Sequence, residues 1–285
     1  MTPSLSLVVC TLGRREPLVR LLASLREQTD TDFEVLVVDQ NPEGYLAPLL
    51  AEHGGGLALT HLRSAKGLSR ARNAGLAAAG GAIVGFPDDD CWYGPGTVAA
   101  VKQLFAGHAE AGVITGRTVD ARGADSVSPH LPASAAVTRA NVFSAGNSNT
   151  LFVRRDAALA VGGFDESMGV GAGTPFQSSE ETDFLLRCLR AGYPIRYERD
   201  FTVFHDQNAE AAASQVARAR AYAPGFGRIV RSHGYGPGHL GARVVRSALG
   251  GVRCLAQGDV AGAEARYRWA LGAVRGYLAS APGPG

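Results

Sequence analysis

Two acidic clusters carry the residues best suited to chemistry. Asp88-Asp89-Asp90 follows directly on an apolar run, Ala82-Ile83-Val84-Gly85-Phe86, and Glu180-Glu181 with Asp183 opens a later segment. Adjacent carboxylates repel at neutral pH, so a fold that keeps three of them together supplies basic side chains or a bound metal. Their oxygens suit hard divalent ions such as Mg2+ or Mn2+. A plain turn competes with that reading, because Asp both forms turns and caps helices, and Pro95 marks a helix start just beyond. In the second cluster Ser178 and Glu181 stand at capping-box spacing, and acids in a first helical turn favour the helix dipole in any protein. A carboxylate there that faces a cleft would also act as a general base. Helical spacing puts Glu180 and Asp183 on one face, with Glu181 about 100° round from it.

The elements that position these acids are read from periodicity. Residues 4–10, 33–38, 57–62 and 82–86 are apolar strands, with helices over 16–28 and 68–79. Near-continuous apolar strands alternating with helices predict a mainly parallel α/β sheet covered on both faces. Thr11, Asp39 and Asp88 each fall at, or within two residues of, the end of a strand, the edge at which open α/β sheets bind ligands. Between the third and fourth strands, Gly67-Leu68-Ser69-Arg70-Ala71-Arg72-Asn73-Ala74-Gly75 offers backbone N–H groups and arginines to a phosphate or nucleotide, or is an ordinary capped helix with solvated arginines. No GxGxxG follows the first strand and no GxxxxGK precedes a Ser or Thr, so a dinucleotide site and a P-loop are unsupported.

Further on, the pattern gives a helix over 95–105, a strand over 113–119, a polar excursion over 121–140, a strand over 149–153 and a helix over 154–160. The loop holding Gly162, Gly163, Gly169, Gly171 and Gly173 has the composition of one that moves over a substrate. A helix then runs to Arg190, and strands over 193–197 and 201–204 end at His205.

At 285 residues, 46% hydrophobic and 19% charged, the chain fits one large domain or one domain with an appendage. No apolar run approaches the roughly 18 residues of a membrane span, and the N-terminus lacks the order of a signal peptide. A cytoplasmic location is expected. Cys10, Cys91, Cys188 and Cys254 are widely spaced and read as packing residues. The net charge of +2 hides an asymmetry: from Ala211 onward ten arginines face only Asp259 and Glu264. A basic tail suits an anionic partner or surface. Residues 238–257 place Val244, Val245, Ala248, Leu249, Val252 and Leu255 in one helical sector, with Arg243, Arg246 and Arg253 opposite and Gly250-Gly251 weakening the helix. Such a helix packs on the catalytic domain or a second subunit, as in a homodimer, or lies peripherally on the inner face of a membrane.

Seven segments in order carry a family resemblance: LVVCTLGRR, VLVVDQN, GLSRARNAG, FPDDD with Tyr93 and Gly96, GGFDE, EETD through LLRCLRAGYPIRY, and VFHD. The chain resembles the family 2 glycosyltransferases with a GT-A fold, over roughly residues 4–206. The resemblance implies a GT-A catalytic domain over 1–206, with a donor half over about 1–110 and an acceptor half over 111–206, and a helical C-terminal extension over 207–285. It implies that Thr11 and Asp39 receive the base and ribose of a UDP-, GDP- or dTDP-sugar, with Arg72 on the nucleotide side. Asp88 is then the ribose-facing member of a D-x-D pair, Asp90 a ligand of Mn2+ or Mg2+, and His205 the late His that reaches the metal or diphosphate. Asp89, between them, is a turn residue on the nucleotide side. The expected base is the second of the acidic pair, commonly Asp but here Glu181, so the assignment stays open among Glu181, Glu180 and Asp183. The implied activity is metal-dependent, inverting transfer of a sugar to a hydroxyl acceptor, with no nucleic-acid partner. The alternatives are a non-catalytic nucleotide-sugar-binding subunit and a sugar-1-phosphate nucleotidyltransferase. The latter is disfavoured by the single Gly in Cys10-Thr11-Leu12-Gly13-Arg14-Arg15.

Overall fold

The apolar runs at the start of the chain become the middle of a sheet. The computed structural model describes residues 3–127, 130–206 and 212–281. Strands β1 (Leu5–Thr11) and β2 (Phe33–Asp39) are buried along nearly their whole length, which is why neither alternates polar with apolar. Between them α1 (Glu16–Arg26) turns Leu18, Leu21, Leu22 and Leu25 inward. After α2 (Ala47–His53), β3 (Leu59–Arg63) pairs in parallel with β2 as a largely exposed edge. Helix α3 (Leu68–Ala78) returns to β4 (Ile83–Gly85), which lies parallel to β1. Gly75 lets α3 pack this closely, since a Cβ there would stand 2.3 Å from a Val8 methyl.

Beyond β4 the sheet becomes mixed. Two-residue β5 (Cys91–Trp92), helix α4 (Thr97–Gly107), β6 (Val113–Val119), β7 (Ala135–Val137), β8 (Phe152–Arg154), α5 (Arg155–Ala160), α6 (Glu180–Arg190) and β9 (Ile195–His205) follow in order. The strand order is β3-β2-β1-β4-β8-β6-β9-β5, with β7 also on β9. Strand β8 is antiparallel to β4 and β6, β9 is parallel to β6, and β5 and β7 are antiparallel to β9. One apolar core joins the residues of β1, β2 and α1 to Tyr93, Val98, Phe105, Phe152 and Phe201.

The chain forms two compact units. Met1–Lys66, Arg70–Phe164 and Phe184–Gln207 make the first, which contains the sheet; Gly67–Ser69, Asp165–Asp183 and Asn208–Gly285 make the second. In the second, α7 (Ala212–Ser232), α8 (Pro237–Ala256) and α9 (Val260–Leu278) pack around Ala223, Val230, Leu240 and Ala273. Close approach of α7 and α9 depends on Gly276, where a Cβ would meet the Pro224 carbonyl at 2.1 Å. The boundary expected at residue 206 abuts residues 207–211, which lie outside the described residues.

Several expectations change. Helix α4 starts at Thr97 behind Gly96, so none of Asp88, Asp89 and Asp90 caps it. The excursion over 121–140 contains β7, whose Ala135 and Ala136 have low strand propensity and gave no signal. One long strand, β9, replaces two, because its polar Glu198-Arg199-Asp200 bridge lies on a ladder that takes up a register shift opposite Thr115 and Arg117. The capping register also moves. Asp183 N donates to the Ser179 carbonyl at 3.0 Å, making Ser179 the N-cap, while the Ser178 hydroxyl donates to the Tyr222 carbonyl at 2.7 Å. The glycine-rich loop carries hydrogen bonds within itself and an ion pair to α7. Gly169 N donates to Phe176 O at 2.9 Å, Thr174 Oγ1 to Ser167 O at 2.6 Å, and Arg228 from α7 pairs with Asp165 at 2.7 Å.

Candidate active site

Sheet register, in the first unit, gathers the polar groups. Thr11, Asp39 and Arg63 are aligned partners across β1, β2 and β3, and Cys10 is bridged to Asp88 immediately beyond β4. The residues at this edge differ in what holds them.

Asp39 is fully buried and saturated. Its Oδ1 accepts from the Asn41 backbone N–H and from Asn41 Nδ2, each at 2.8 Å; its Oδ2 accepts from Arg63 Nη1 at 2.9 Å and lies 3.1 Å from His61 Nε2. A carboxylate has about four lone-pair positions, so these donors fill it. Burial pushes this carboxyl up, but the hydrogen bonds from Asn41 and His61 and the charge of Arg63 outweigh burial and hold it below the ordinary value. Asn41 Oδ1 in turn accepts from Gly13 N at 2.6 Å, fixing the turn after β1.

Asp88 faces a different set. Its Oδ1 accepts from Arg72 Nη2 at 3.2 Å, Ser148 Oγ reaches both carboxylate oxygens at 3.1–3.2 Å, and its backbone N–H donates to Asn149 Oδ1 at 3.0 Å. Arg72 is 2% exposed, and its guanidinium lies 5.2 Å from the Phe164 ring, so the arginine is a buried counter-ion and not a solvated one.

Asp89 is buried and pairs with Arg14 at 3.0 Å; burial pushes its carboxyl up to about 6, against a Thr11 hydrogen bond and the Arg14 charge. Asp90 also accepts from Arg14, through Oδ2, and its Oδ1 lies 3.2 Å from His205 Nε2. Burial raises the Asp90 carboxyl, yet the His205 hydrogen bond and Arg14 bring it below the usual range. His205 is raised in return, chiefly by its hydrogen bond to Asp90. The tertiary device that joins residues so far apart in sequence is β5: Cys91 pairs with His205 at the end of β9, setting the imidazole beside Asp90. Arg20 lies 3.8 Å over the Trp92 ring, which stacks on Phe204 and stiffens the same short ladder.

A divalent ion would take Asp90 and His205 as protein donors. Among the described residues no group of three or more His, Cys, Asp and Glu side chains is disposed to hold a metal. Asp90 and His205 offer one carboxylate and one imidazole, so any further ligands to an ion held there would have to be ligand or water oxygens.

In the second unit, the start of α6 separates its three acids. Glu180 and Asp183 are buried, and Asp183 Oδ1 lies 2.7 Å from Nε2 of the buried His233 at the end of α7. Glu181, on the other face as its spacing requires, is half-buried. The structure thus unites Thr11, Arg72, Asp88, Asp89, Asp90 and His205 on one edge of the first unit, with the Asp39 cluster alongside in register. Sequence reasoning had not singled out Arg14, Asn41, His61, Arg63, Ser148, Asn149 and His233. The edge rule that found Thr11 and Asp39 applies equally to Arg14 and Arg63, which follow or end their strands, whereas nothing local marks Ser148, Asn149 or His233.

Residues 6–160, more than half of the chain, match the model of the Glycosyl transferase family 2, and the chain belongs to that family of glycosyltransferases. Solved structures with the same GT-A-type fold include S. aureus TarS 1–349 in complex with UDP-GlcNAc, with a TM-score of 0.61 at 18% identity over 95% of this chain and 91% of that one. The mannosyltransferase PcManGT from Pyrobaculum calidifontis, in complex with GDP-Man and Mn2+, gives 0.63 at 17% identity over 98% and 88%. A longer S. aureus TarS structure gives 0.59 at 19% identity; there the match covers 80% of this chain but only 43% of that one. No curated protein sequence matches the chain.

Proposed function

We propose that the chain transfers a sugar from a nucleoside-diphosphate sugar to a hydroxyl acceptor, with inversion and with a divalent cation. The carrying observation is the meeting of Asp90 and His205 beside the Arg72–Asp88 pair on the edge where β1 and β2 end. The donors bound by the two neighbours, UDP-GlcNAc and GDP-Man, support a nucleoside-diphosphate sugar, and the Mn2+ of the second supports the cation.

Within this reading Asp90 and His205 hold the ion. A mixed carboxylate and imidazole pair suits Mn2+ better than the all-oxygen preference of Mg2+. When bound, the ion neutralises charge that develops on the leaving diphosphate without any proton transfer. Asp88, oriented by Arg72 and Ser148, faces the ribose. Asp39, already saturated, acts by fixing Asn41, His61 and Arg63, and the part-exposed His61 and Arg63 meet the nucleotide, while the buried Thr11 supports Asp89 by a hydrogen bond. Of the acids that open α6, the proton of the acceptor hydroxyl is assigned to Glu181, the second of the acidic pair, which is half-buried where Glu180 and Asp183 are buried.

Glu181→Gln tests this against a nucleotide-sugar-binding subunit without turnover. With Mn2+ and a nucleotide-sugar panel, wild type is expected to release nucleoside diphosphate by transfer or slow hydrolysis. The variant should lose transfer by roughly 10²–10⁴-fold while the nucleotide-induced rise in melting temperature persists. Binding without turnover by the wild type, across a broad acceptor panel, would favour the subunit.

A further inference from the structure

Much of the apolar sector that the sequence gives α8 faces out. Val245, Leu249 and Val252 are 56%, 64% and 58% exposed, and Leu255 is 50% exposed. At about 100° per residue the first three lie within roughly 60° of one another, at i, i+4 and i+7, with exposed Ala242 and Ala256 extending the stripe. The inward face is a different one. Leu240 and Val244 join the cluster of the three C-terminal helices, and Gly251 lies against the Tyr267 ring, where a Cβ would stand 2.8 Å away. The glycine pair that weakens α8 as a helix thus serves its approach to α9.

The charges of α8 divide in the same way. Arg243 turns inward, its guanidinium 5.9 Å from the Phe226 ring. Arg246 and Arg253 stay exposed, seven residues apart along one flank of the apolar stripe. No Asp or Glu occurs in α8. The nearest acids after it are committed elsewhere: Asp259 caps α9 through Gly262 N, and Glu264 pairs with Arg268 on α9.

We propose that this face of α8 is a docking surface for an anionic lipid bilayer, the stripe entering the interfacial region and Arg246 and Arg253 meeting acidic headgroups. Charge decides between a bilayer and a second copy. Two copies joined face to face through α8 would bring their arginines together with no acid on the helix to neutralise them. An anionic bilayer complements both components, an apolar centre and a basic margin. The basic excess of the whole C-terminal segment, ten arginines against two acids from Ala211 onward, acts in the same direction. This inference stands independently of the transfer chemistry.

Co-sedimentation of the full chain with vesicles of phosphatidylcholine alone, or with about one third phosphatidylglycerol, tests it. Binding is expected only to the anionic vesicles and should weaken as salt rises. Leu249→Glu should reduce binding by more than tenfold, and Arg246→Gln with Arg253→Gln by about 30-fold at low salt, while circular dichroism and melting temperature stay at wild-type values. Light scattering should give a mass for the free protein that Leu249→Glu leaves unchanged. Equal recovery on both vesicle types, or full binding by Leu249→Glu, overturns the proposal. A concentration-dependent dimer dispersed by Leu249→Glu, without vesicle binding, also overturns it and makes the face an interface between copies.

Discussion

Arg14 is the residue that most alters the picture of the acidic triplet. Three carboxylates in a row need cations, and the fold provides Arg72 for Asp88, Arg14 for Asp89 and Asp90 together, and His205 for Asp90. Arg14 is half exposed on a loop after β1, whereas Arg72 is buried. The first is open to solvent and the second enclosed. On the proposed reading, a divalent ion at Asp90 would compete with Arg14 for its carboxylate. Arg14→Ala is therefore expected to tighten binding of Mn2+ alone by about two- to fivefold, the range of an exposed ion pair, measured by electron paramagnetic resonance without nucleotide. Weaker Mn2+ binding by the variant would mean that Arg14 organises the carboxylates and does not compete for them. The position was legible in the sequence as a charged residue following the first strand; its partners were not, because they come from a loop 75 residues later.

Among the elements, α6 and α7 carry a relation that no local pattern contains. Asp183 stands in the first turn of α6, where acids are favoured anyway, and His233 follows the last turn of α7. Their 2.7 Å contact is buried on both sides, which fits Asp183 for positioning the helix start that carries Glu181. His233→Ala removes this hydrogen bond to a buried charged group and is expected to lower unfolding free energy by about 2–3 kcal/mol, read from urea denaturation at unchanged m-value. Asp183→Asn keeps a hydrogen-bonding side chain and should cost less. If both variants unfold like wild type, the contact contributes nothing to stability. The strands show the same limit. Apolar runs were enough to find β1, β2 and β6, whereas β7 is two alanines and a valine and owes its state to pairing with β9.

For the whole molecule, several carboxylates sit below their ordinary values, and the sign of the pH dependence follows. Asp39 and Glu198 are depressed from 3.8 and 4.5, burial being outweighed in each by hydrogen bonds and basic neighbours. A depressed carboxyl contributes stability that is fully present above its unfolded value and is lost as pH falls through its folded value. Below about pH 5 the melting temperature is expected to fall steadily, whereas between neutrality and pH 5 the raised Asp89 and His205 work in the opposite direction. Asp39→Asn should melt lower at pH 7 and decline less steeply, and a melting temperature that rose between pH 5 and 3 would contradict the assignment. The sequence by itself determined the alternation of strands and helices, the acid-bearing strand ends and the family, because hydrophobic period and turn chemistry are local properties. It also placed Glu181 on a different helical face from Glu180 and Asp183. Only the tertiary structure decided that His205 meets Asp90, that Arg14 answers two acids, that His233 engages Asp183 and that α8 turns Val245, Leu249 and Val252 outward. Each of those depends on which distant surface is packed opposite, a free-energy balance over many contacts that no short window of sequence records.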